Sequence, residues 1–421
     1  MLRSKVNINQ VLNKIAGNRV IMRADFNVPL RQGVITNNKR IVDTIPTIKT
    51  ILEQGPRALI LMSHLGRPKG QAKREFSLEP IVPELETHLG RKVTFLNDCV
   101  GAEVHSVCQN AQDGEIILLE NLRFHLEEEG KGLDANGNKV KADPEAVKEF
   151  RAELTNLADV YINDAFGTAH RDHSSMTGVD LPVRAAGLLL KKEIDYFAKA
   201  LEDPDHPFLV ILGGAKIHDK IQLINNLLDR VNDMIIGGGM AFTFLKEIHG
   251  IDIGNSLYDE QGARAVPDIM RKAEDLGVNI SLPTDFLIGD LAVPDAQPSL
   301  GDLETGIPEG LLGLDVGPQT IQENDRIIRK SKTIVWNGPQ GMFENPHYRP
   351  GSESLVYSLI EASNGGATTI VGGGDSVTMA QTVLGAEEAL DHLSTGGGAS
   401  LELLEGKQLP GIVALSNIDD I

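Results

Sequence analysis

The feature that most limits how this chain can fold is a recurrence. Short apolar runs rich in β-branched residues, "RVIMRADF", "ALILMSHL", "EIILLENL", "DVYIND", "FLVILGG", "DMIIGGG", "KTIVWNG" and "TTIVGGG", are spread over its whole length. Their hydrophobicity is nearly continuous and does not alternate, the pattern of strands buried on both faces. The segments between them, such as "KIQLINNLLDRVN" and "SLVYSLIEAS", have helical spacing. Strands alternating with helices in this way predict an α/β chain whose parallel sheets are covered by helices on both faces. Ligands of such sheets sit at the carboxyl ends of the strands. The polar and glycine residues that close the runs are therefore where chemistry is to be sought.

With 421 residues the chain exceeds one ordinary core, and two domains are expected. "GLLLKKEIDYFAKALEDPDHP", residues 187–207, reads as one amphipathic helix stopped by Pro204 and Pro207. The charge balance changes at the same place. Residues 1–190 hold 24 Lys+Arg against 24 Asp+Glu, and residues 191–421 hold 16 against 35, so the second part carries the whole net charge of −19. A connecting helix, 187–204, is thus expected to join a first domain, 1–186, to a second, 205–405. The polar stretch 127–145 is expected to be a surface insertion. The acidic balance speaks against nucleic acid or an anionic membrane as partner. No uncharged apolar run reaches the ~18 residues of a membrane span, and "MLRSKVNINQ" lacks the apolar core of a secretory signal. Cys99 and Cys108 are too few for a disulfide framework here; they read as reduced and structural, which points to the cytoplasm.

Arginine is concentrated in the first part, and several cations or polar groups lie beside its predicted strand ends. "MRADFNVP" presents Arg23, Asp25 and Asn27 at alternating positions, facing one way in a strand that Pro29 ends. "NNKRI" offers Arg40, "SHLGRP" offers His64 and Arg67, and "ENLRFH" offers Arg123. "NDAFGTAHRDHSS" offers Asp164, His170, Arg171 and His173. Guanidinium binds phosphate and carboxylate bidentately, so this set predicts a basic pocket for a small, multiply anionic molecule. The two histidines lack a third ligand at metal-site spacing and read as hydrogen-bonding groups. Asp25 is either a general base or an acceptor for a substrate hydroxyl.

The second part is rich in glycine at its strand ends. "TIVGGGDSVTMA", Thr369 to Ala380, has the strand, glycine turn and helix start that cradle phosphate, yet no Gly-Lys-Ser/Thr. The missing cations are expected from "FLVILGGAKIHDKI", where Lys216 and Lys220 stand four apart, on one face of a helix start. Glycines 237–239 leave bare backbone for a flat ring. In "VWNGPQGMFE", Asn337 and Glu344 are candidates to hold a sugar or a hydrated cation. "STGGGASLELLEG" adds a third triplet, with Ser400 near the helix start behind it. Asp375 suits a magnesium ion on the phosphate, or else caps the helix that follows.

These stretches, together with "LLENLRFH" and "IIGGGMAFTF", resemble the phosphoglycerate kinase family along essentially the whole chain, in order and near the family's spacing. The resemblance implies an α/β fold of two Rossmann-like three-layer (αβα) domains with parallel sheets, joined by a hinge helix, with the tail 406–421 returning to the first domain. It implies glycolytic phosphoryl transfer between 1,3-bisphosphoglycerate and ADP, giving 3-phosphoglycerate and ATP, by a cytoplasmic monomer that uses Mg2+. Carried across by motif, the triose ligand would meet Asp25, Asn27, Arg40, His64, Arg67, Arg123, His170 and Arg171. The nucleotide would meet Gly214, Ala215, Lys216, Lys220, Gly238, Gly313, Asn337, Glu344, Gly373, Gly374, Asp375 and Ser376, with Asp375 toward the metal. Arg40, Lys216 and the amides of Gly373 and Gly374 would serve the transferring group. Departures are small, such as Met342 where the family often has valine. A dinucleotide-dependent oxidoreductase, which lacks its Gly-x-Gly-x-x-Gly here, and a non-catalytic two-domain binder are the other classes.

Overall fold

The computed structural model describes residues 2–293 and 297–421. All eight apolar runs form strands, and each lies in one of two six-stranded, wholly parallel sheets. The order across the first sheet is Arg184–Ala186, Val160–Asn163, Arg19–Arg23, Ala58–Met62, Glu115–Leu118 and Val93–Phe95. Across the second it is Asn279–Ser281, Asp233–Ile236, Phe208–Leu212, Thr333–Asn337, Thr368–Gly372 and His392–Leu393. Every residue of Ala58–Met62, Phe208–Leu212 and Thr333–Asn337 is buried, as expected for central strands covered on both faces. Each fully buried Leu or Ile contributes about 1.5–3 kcal/mol, so these strands anchor their domains. The expected α/β architecture with parallel sheets is observed.

The chain divides into two compact units, residues 1–195 with 408–421, and residues 196–407. The division falls inside the helix Leu188–Glu202. In the first unit the tail is tied down by backbone bonds. Val6 N–H donates to Ser416 O, Ser416 N–H to Arg184 O, and Gly411 N–H to Ala169 O. The core of this unit gathers Val20, Met22, Ile48, Leu59 and Leu118. In the second, Trp336, Leu355, Leu359 and Val371 form one cluster, and Phe242, Phe286 and Ile288 another.

Four short edge or near-edge strands escape the sequence pattern: Val93–Phe95, Arg184–Ala186, Asn279–Ser281 and His392–Leu393. So does an antiparallel sheet in which Asp285–Gly289 is flanked by Ser299–Asp302 and Leu312–Val316. Edge strands bury one side only and are short, so they carry no continuous apolar run. The antiparallel strands contain glycine and aspartate and gain order from the aromatic cluster beneath, where Phe242 and Phe286 meet edge to face at 5.7 Å. Within 127–145 the exposed part is a hairpin, Lys131–Leu133 with Lys139–Lys141. Its beginning is not surface: Glu128 is buried and accepts from Ser175 N–H at 2.9 Å and Ser175 Oγ at 2.6 Å.

Candidate functional site

In each parallel sheet the chain leaves a central strand first to one side and later to the other. Such switch points open a crevice at the carboxyl ends of two neighbouring strands. In the first sheet the crevice lies between Arg19–Arg23 and Val160–Asn163, and in the second between Phe208–Leu212 and Thr333–Asn337.

At the first crevice arginines are held by hydrogen bonds within the protein. Arg23 is fully buried, and its Nε donates to Ser175 Oγ at 2.9 Å, its Nη1 to Ala24 O at 2.6 Å. Its Nη2 lies 3.1 Å from His64 Nδ1. Arg123 is buried, donates from Nη1 to Gly66 O at 2.9 Å and lies 3.5 Å from Glu129. Arg40 donates to Asp25 Oδ2 at 2.7 Å, and the other oxygen of Asp25 accepts from Asn27 N–H. Asn27 Oδ1 in turn accepts from Gly66 N–H at 2.9 Å, tying two loops together. Burial, followed by the fields of Arg23 and Arg123, pushes the His64 pKa well below its ordinary value. His173 is lowered to about 3, first by burial, then by Arg123, Arg23 and Arg171. Both imidazoles are therefore neutral at pH 7. Arg67 and Arg171 are exposed on the turns beside them, and Arg67 adds to the field on Arg123. Two like charges 4 Å apart cost about 4 kcal/mol at an effective dielectric of 20, so a cluster of this kind favours an anionic ligand.

Local structure corrects three expectations here. The strand ends at Arg23, so Asp25 and Asn27 stand on the loop after it and not at alternating strand positions. Arg40 is the second residue of the helix Lys39–Glu53, and Arg123 sits on the short turn Leu122–Phe124. Helix starts and turns reach the crevice as well as strand ends do. His170 and Arg171 follow the turn Phe166–Thr168. Arg23, Ser175 and Glu128 form the supporting layer; Ser175 and Glu128 lie far from Arg23 in sequence, and no local pattern marks them.

At the second crevice the walls are backbone. A Cβ on Gly213 would stand 2.0 Å from Pro339 O, and one on Gly338 would stand 2.4 Å from Gly213 O. Only glycine lets these two loops touch. Gly238 N–H donates to Gln340 O, and Met240 N–H to Gly214 O, bringing the loop 237–239 against the same pair. Lys220 donates to Asn337 Oδ1 at 2.8 Å and Asn337 O at 3.1 Å. Burial lowers its pKa to about 8, opposed by Asp219 and Asp375. Ser376 Oγ accepts from Gly338 N–H at 2.6 Å. Gly373 has φ +88°, and its missing side chain leaves room for Asn337 Nδ2. That amide nitrogen is buried and has no partner among the described residues, so it offers a donor to an incoming oxygen. In the third triplet's loop, Ser394 Oγ lies 2.6 Å from Ser400 Oγ.

Lys216 and Lys220 do not share a helical face. The helix begins at Ile221 with Lys220 as its N-cap, and Lys216 stands exposed in the loop. The loop is pinned instead by Asp259, which accepts from His218 N–H at 2.8 Å and faces the imidazole Nδ1 at 2.9 Å. Asp375 is not a helix cap: the cap is Gly373, and Asp375 lies exposed in the first turn of Gly374–Gln381. Ala215 packs near Gly239. Gly313 belongs to the antiparallel sheet, where its N–H donates to Ser256 Oγ and its Cα faces the Phe242 ring. Glu344 is exposed, and no hydrogen bond joins it to Asn337 among the described residues.

One doubly wound sheet has a glycine cradle, a half-buried lysine and an exposed carboxylate at its switch point, and the other gathers guanidinium groups at its own, the group types that small-molecule kinases use. The family model described as phosphoglycerate kinase matches residues 8–407. The phosphoglycerate kinase of Tetrahymena thermophila is 57% identical over all of both chains. That of Gallus gallus is 54% identical over 99% of this chain and 100% of the other. A solved phosphoglycerate kinase from Coxiella burnetii superposes with a TM-score of 0.85 at 34% identity, covering 97% of this chain and 98% of the other. The chain belongs to the phosphoglycerate kinase family.

Proposed function

We propose that the first unit binds 3-phosphoglycerate or 1,3-bisphosphoglycerate, that the second binds ADP or ATP, and that the phosphoryl group passes reversibly between them, in glycolysis and gluconeogenesis. The observation that carries this reading is the pairing of two different anion-holding crevices, each at the switch point of its own parallel sheet. Arg23, His64, Arg123, His170 and Arg171 line or support the triose site, and Asn27 and Asp25 receive its hydroxyl. Asp25 is already engaged by Arg40, which suits an acceptor and not a base.

The acceptor carboxylate is ionised at pH 7, so no proton has to be removed before attack. What remains is to position two anions and to spread the charge of a loose, metaphosphate-like group. Arg40 from the first unit and Lys216 from the second are assigned that task, with amides at Gly373 and Gly374. Lys216 is exposed and makes no hydrogen bond or ion pair among the described residues, and the exposed Arg40 keeps guanidinium donors beyond the one it gives Asp25, so both can serve a transferring group. Lys220 neutralises nucleotide phosphate, and Asn337 Nδ2 gives it a donor.

Asp375 is an exposed carboxylate on the first helical turn, and hard oxygen donors of this kind suit magnesium. With the nucleotide's phosphates it would hold Mg2+, which supplies charge neutralisation on the transferred group. Binding of both ligands is proposed to close the two units and exclude water. Ligand-induced compaction in solution scattering supports closure, and an unchanged radius of gyration counts against it. The protein is further proposed to act as a cytoplasmic monomer; in the described residues no helix is long and apolar enough to cross a membrane. The deciding experiment is a coupled assay with 3-phosphoglycerate and Mg-ATP. Turnover that needs both is expected, and absence of turnover by the folded protein refutes the assignment.

A further inference from the structure

Next to the arginine pocket, three side chains of different chemistry meet at the ends of two paired strands. Asp98 and Cys99 follow Val93–Phe95, and His125 follows Glu115–Leu118 by way of the turn Leu122–Phe124. A carboxylate oxygen, the cysteine sulfur and an imidazole nitrogen lie within 4.8 Å of one another. His125 Nε2 is 2.6 Å from Asp98 Oδ1, and the same oxygen accepts from Cys99 N–H at 2.7 Å. The Cys99 side chain is fully buried and its thiol is free, without a hydrogen-bond partner among the described residues.

We propose that Asp98, Cys99 and His125 form a binding site for a thiophilic divalent cation of the zinc class, with water as fourth ligand. The donor set carries the chemical argument. Zinc takes thiolate, imidazole and carboxylate ligands, the Cys99 thiol giving up its proton to solvent as the metal binds, and an open fourth position completes a tetrahedron. The geometry is close to what is needed. With metal bonds of 2.0–2.3 Å, tetrahedral donors stand about 3.4–3.6 Å apart. The Asp98–His125 pair has to open by about 1 Å, and the sulfur to approach by a similar amount, which are changes of side-chain torsion.

The surroundings favour a cation and not a mere ion pair. Glu120 and Glu128 lie near the thiol, and Glu127 and Glu153 near the imidazole. A cysteine kept only for packing would have apolar neighbours, whereas the fields of Asp98, Glu128 and Glu120 fall on this one, negative charge that a dication would balance. A plain Asp–His pair would need no free sulfur within 4.8 Å of it. The cation can enter from solvent, since the His125 and Asp98 side chains are 29% and 53% exposed, while the sulfur forms the floor. Phe150 packs against the imidazole with ring centroids 5.3 Å apart and limits its rotation, as outer partners of metal-bound histidine do.

The test uses the full chain titrated with Co2+, followed by competition with Zn2+. One equivalent of Co2+ is expected to give an ultraviolet thiolate-to-cobalt charge-transfer band with visible bands of tetrahedral intensity, both erased by Zn2+. Cys99→Ser should abolish the charge-transfer band, and Cys108→Ser should leave it. Asp98→Asn and His125→Gln should each weaken binding at least ~10-fold, the loss seen even for outer-shell changes. These two positions are partly exposed, so they carry the test should Cys99→Ser fail to fold. The proposal is overturned by saturating cobalt without a charge-transfer band, by a band that survives Cys99→Ser, or by affinities unchanged in both Asp98→Asn and His125→Gln.

Discussion

The two crevices are built by opposite means. In the first unit the groups are side chains, and each is fixed by another: Arg23 by Ser175 and the Ala24 carbonyl, Ser175 by the buried Glu128, Arg123 by the Gly66 carbonyl. In the second unit the groups are mainly backbone, and what fixes them is the absence of side chains at Gly213, Gly338 and Gly373. A site made of guanidinium groups concentrates positive charge, and residues 1–190 around it are electrically balanced. A backbone site adds no net charge, and residues 191–421 carry the surplus of carboxylates. The contrast teaches that the first site should be sensitive to removal of charge and the second to addition of volume.

The largest expected effect tests the charge side. Arg40→Ala should lower kcat by at least ~100-fold, as for loss of one transition-state donor, with Mg-ADP affinity unchanged by calorimetry. Near-normal turnover would remove Arg40 from its assigned role. The volume side is broken by Gly213→Ala. The new methyl would collide with the Pro339 carbonyl, costing about 1–3 kcal/mol of overpacking and weakening nucleotide about tenfold or more, with triose binding intact. Equal losses of both ligands would show that the loop serves the fold and not the site.

Titration separates the units further. Burial raises the Asp164 pKa to about 7, while its carboxylate accepts from Leu189 and Leu190 N–H. The folded state binds its proton more tightly than the unfolded state, so stability from this group is present below pH ~4 and is lost as pH rises to about 7, by at most ~1.4 kcal/mol per pH unit. Asp164→Asn keeps an acceptor and should flatten that part of the denaturation profile; an unchanged profile would contradict the assignment. Lys220, lowered to about 8 by burial, has the opposite sign. Its stability contribution is present above its ordinary 10.5 and lost as pH falls through about 8. If the proposed site uses the ammonium for nucleotide phosphate, Mg-ADP affinity should decline above pH ~8, by at most tenfold per pH unit, and Lys220→Met should abolish this slope. The smallest effect is a control. A Cβ on Gly374 meets no atom within 4 Å, so Gly374→Ala should fold and bind nucleotide almost as the parent does.

Much of this arrangement was legible in the order of residues. Strands buried on both faces must be apolar throughout, so "ALILM" and "FLVIL" announced themselves. Edge strands and the Asp285–Gly289 sheet were not legible, because one-sided burial leaves no continuous run. Among site groups, the arginines and glycines could be found by their place after the runs. The lysine pair could not be assigned correctly. Helical spacing from 216 to 220 is a local inference, whereas the loop is held by Asp259, about forty residues on in the chain. The depth of Arg23, and Glu128 beneath it, were hidden for the same reason: a buried charge in sequence looks like any surface charge.

The sequence by itself determined the fold class, the parallel character of its main sheets and the chemical character of each half, since periodicity and composition are local properties that burial reads directly. Only the tertiary structure decided which strands adjoin and hence where the two switch points fall. It also decided which cations are buried and shared, which stand free, and that Asp98, Cys99 and His125 meet. These depend on contacts between residues far apart in the chain, and on the desolvation that follows from those contacts, neither of which a linear order of residues contains.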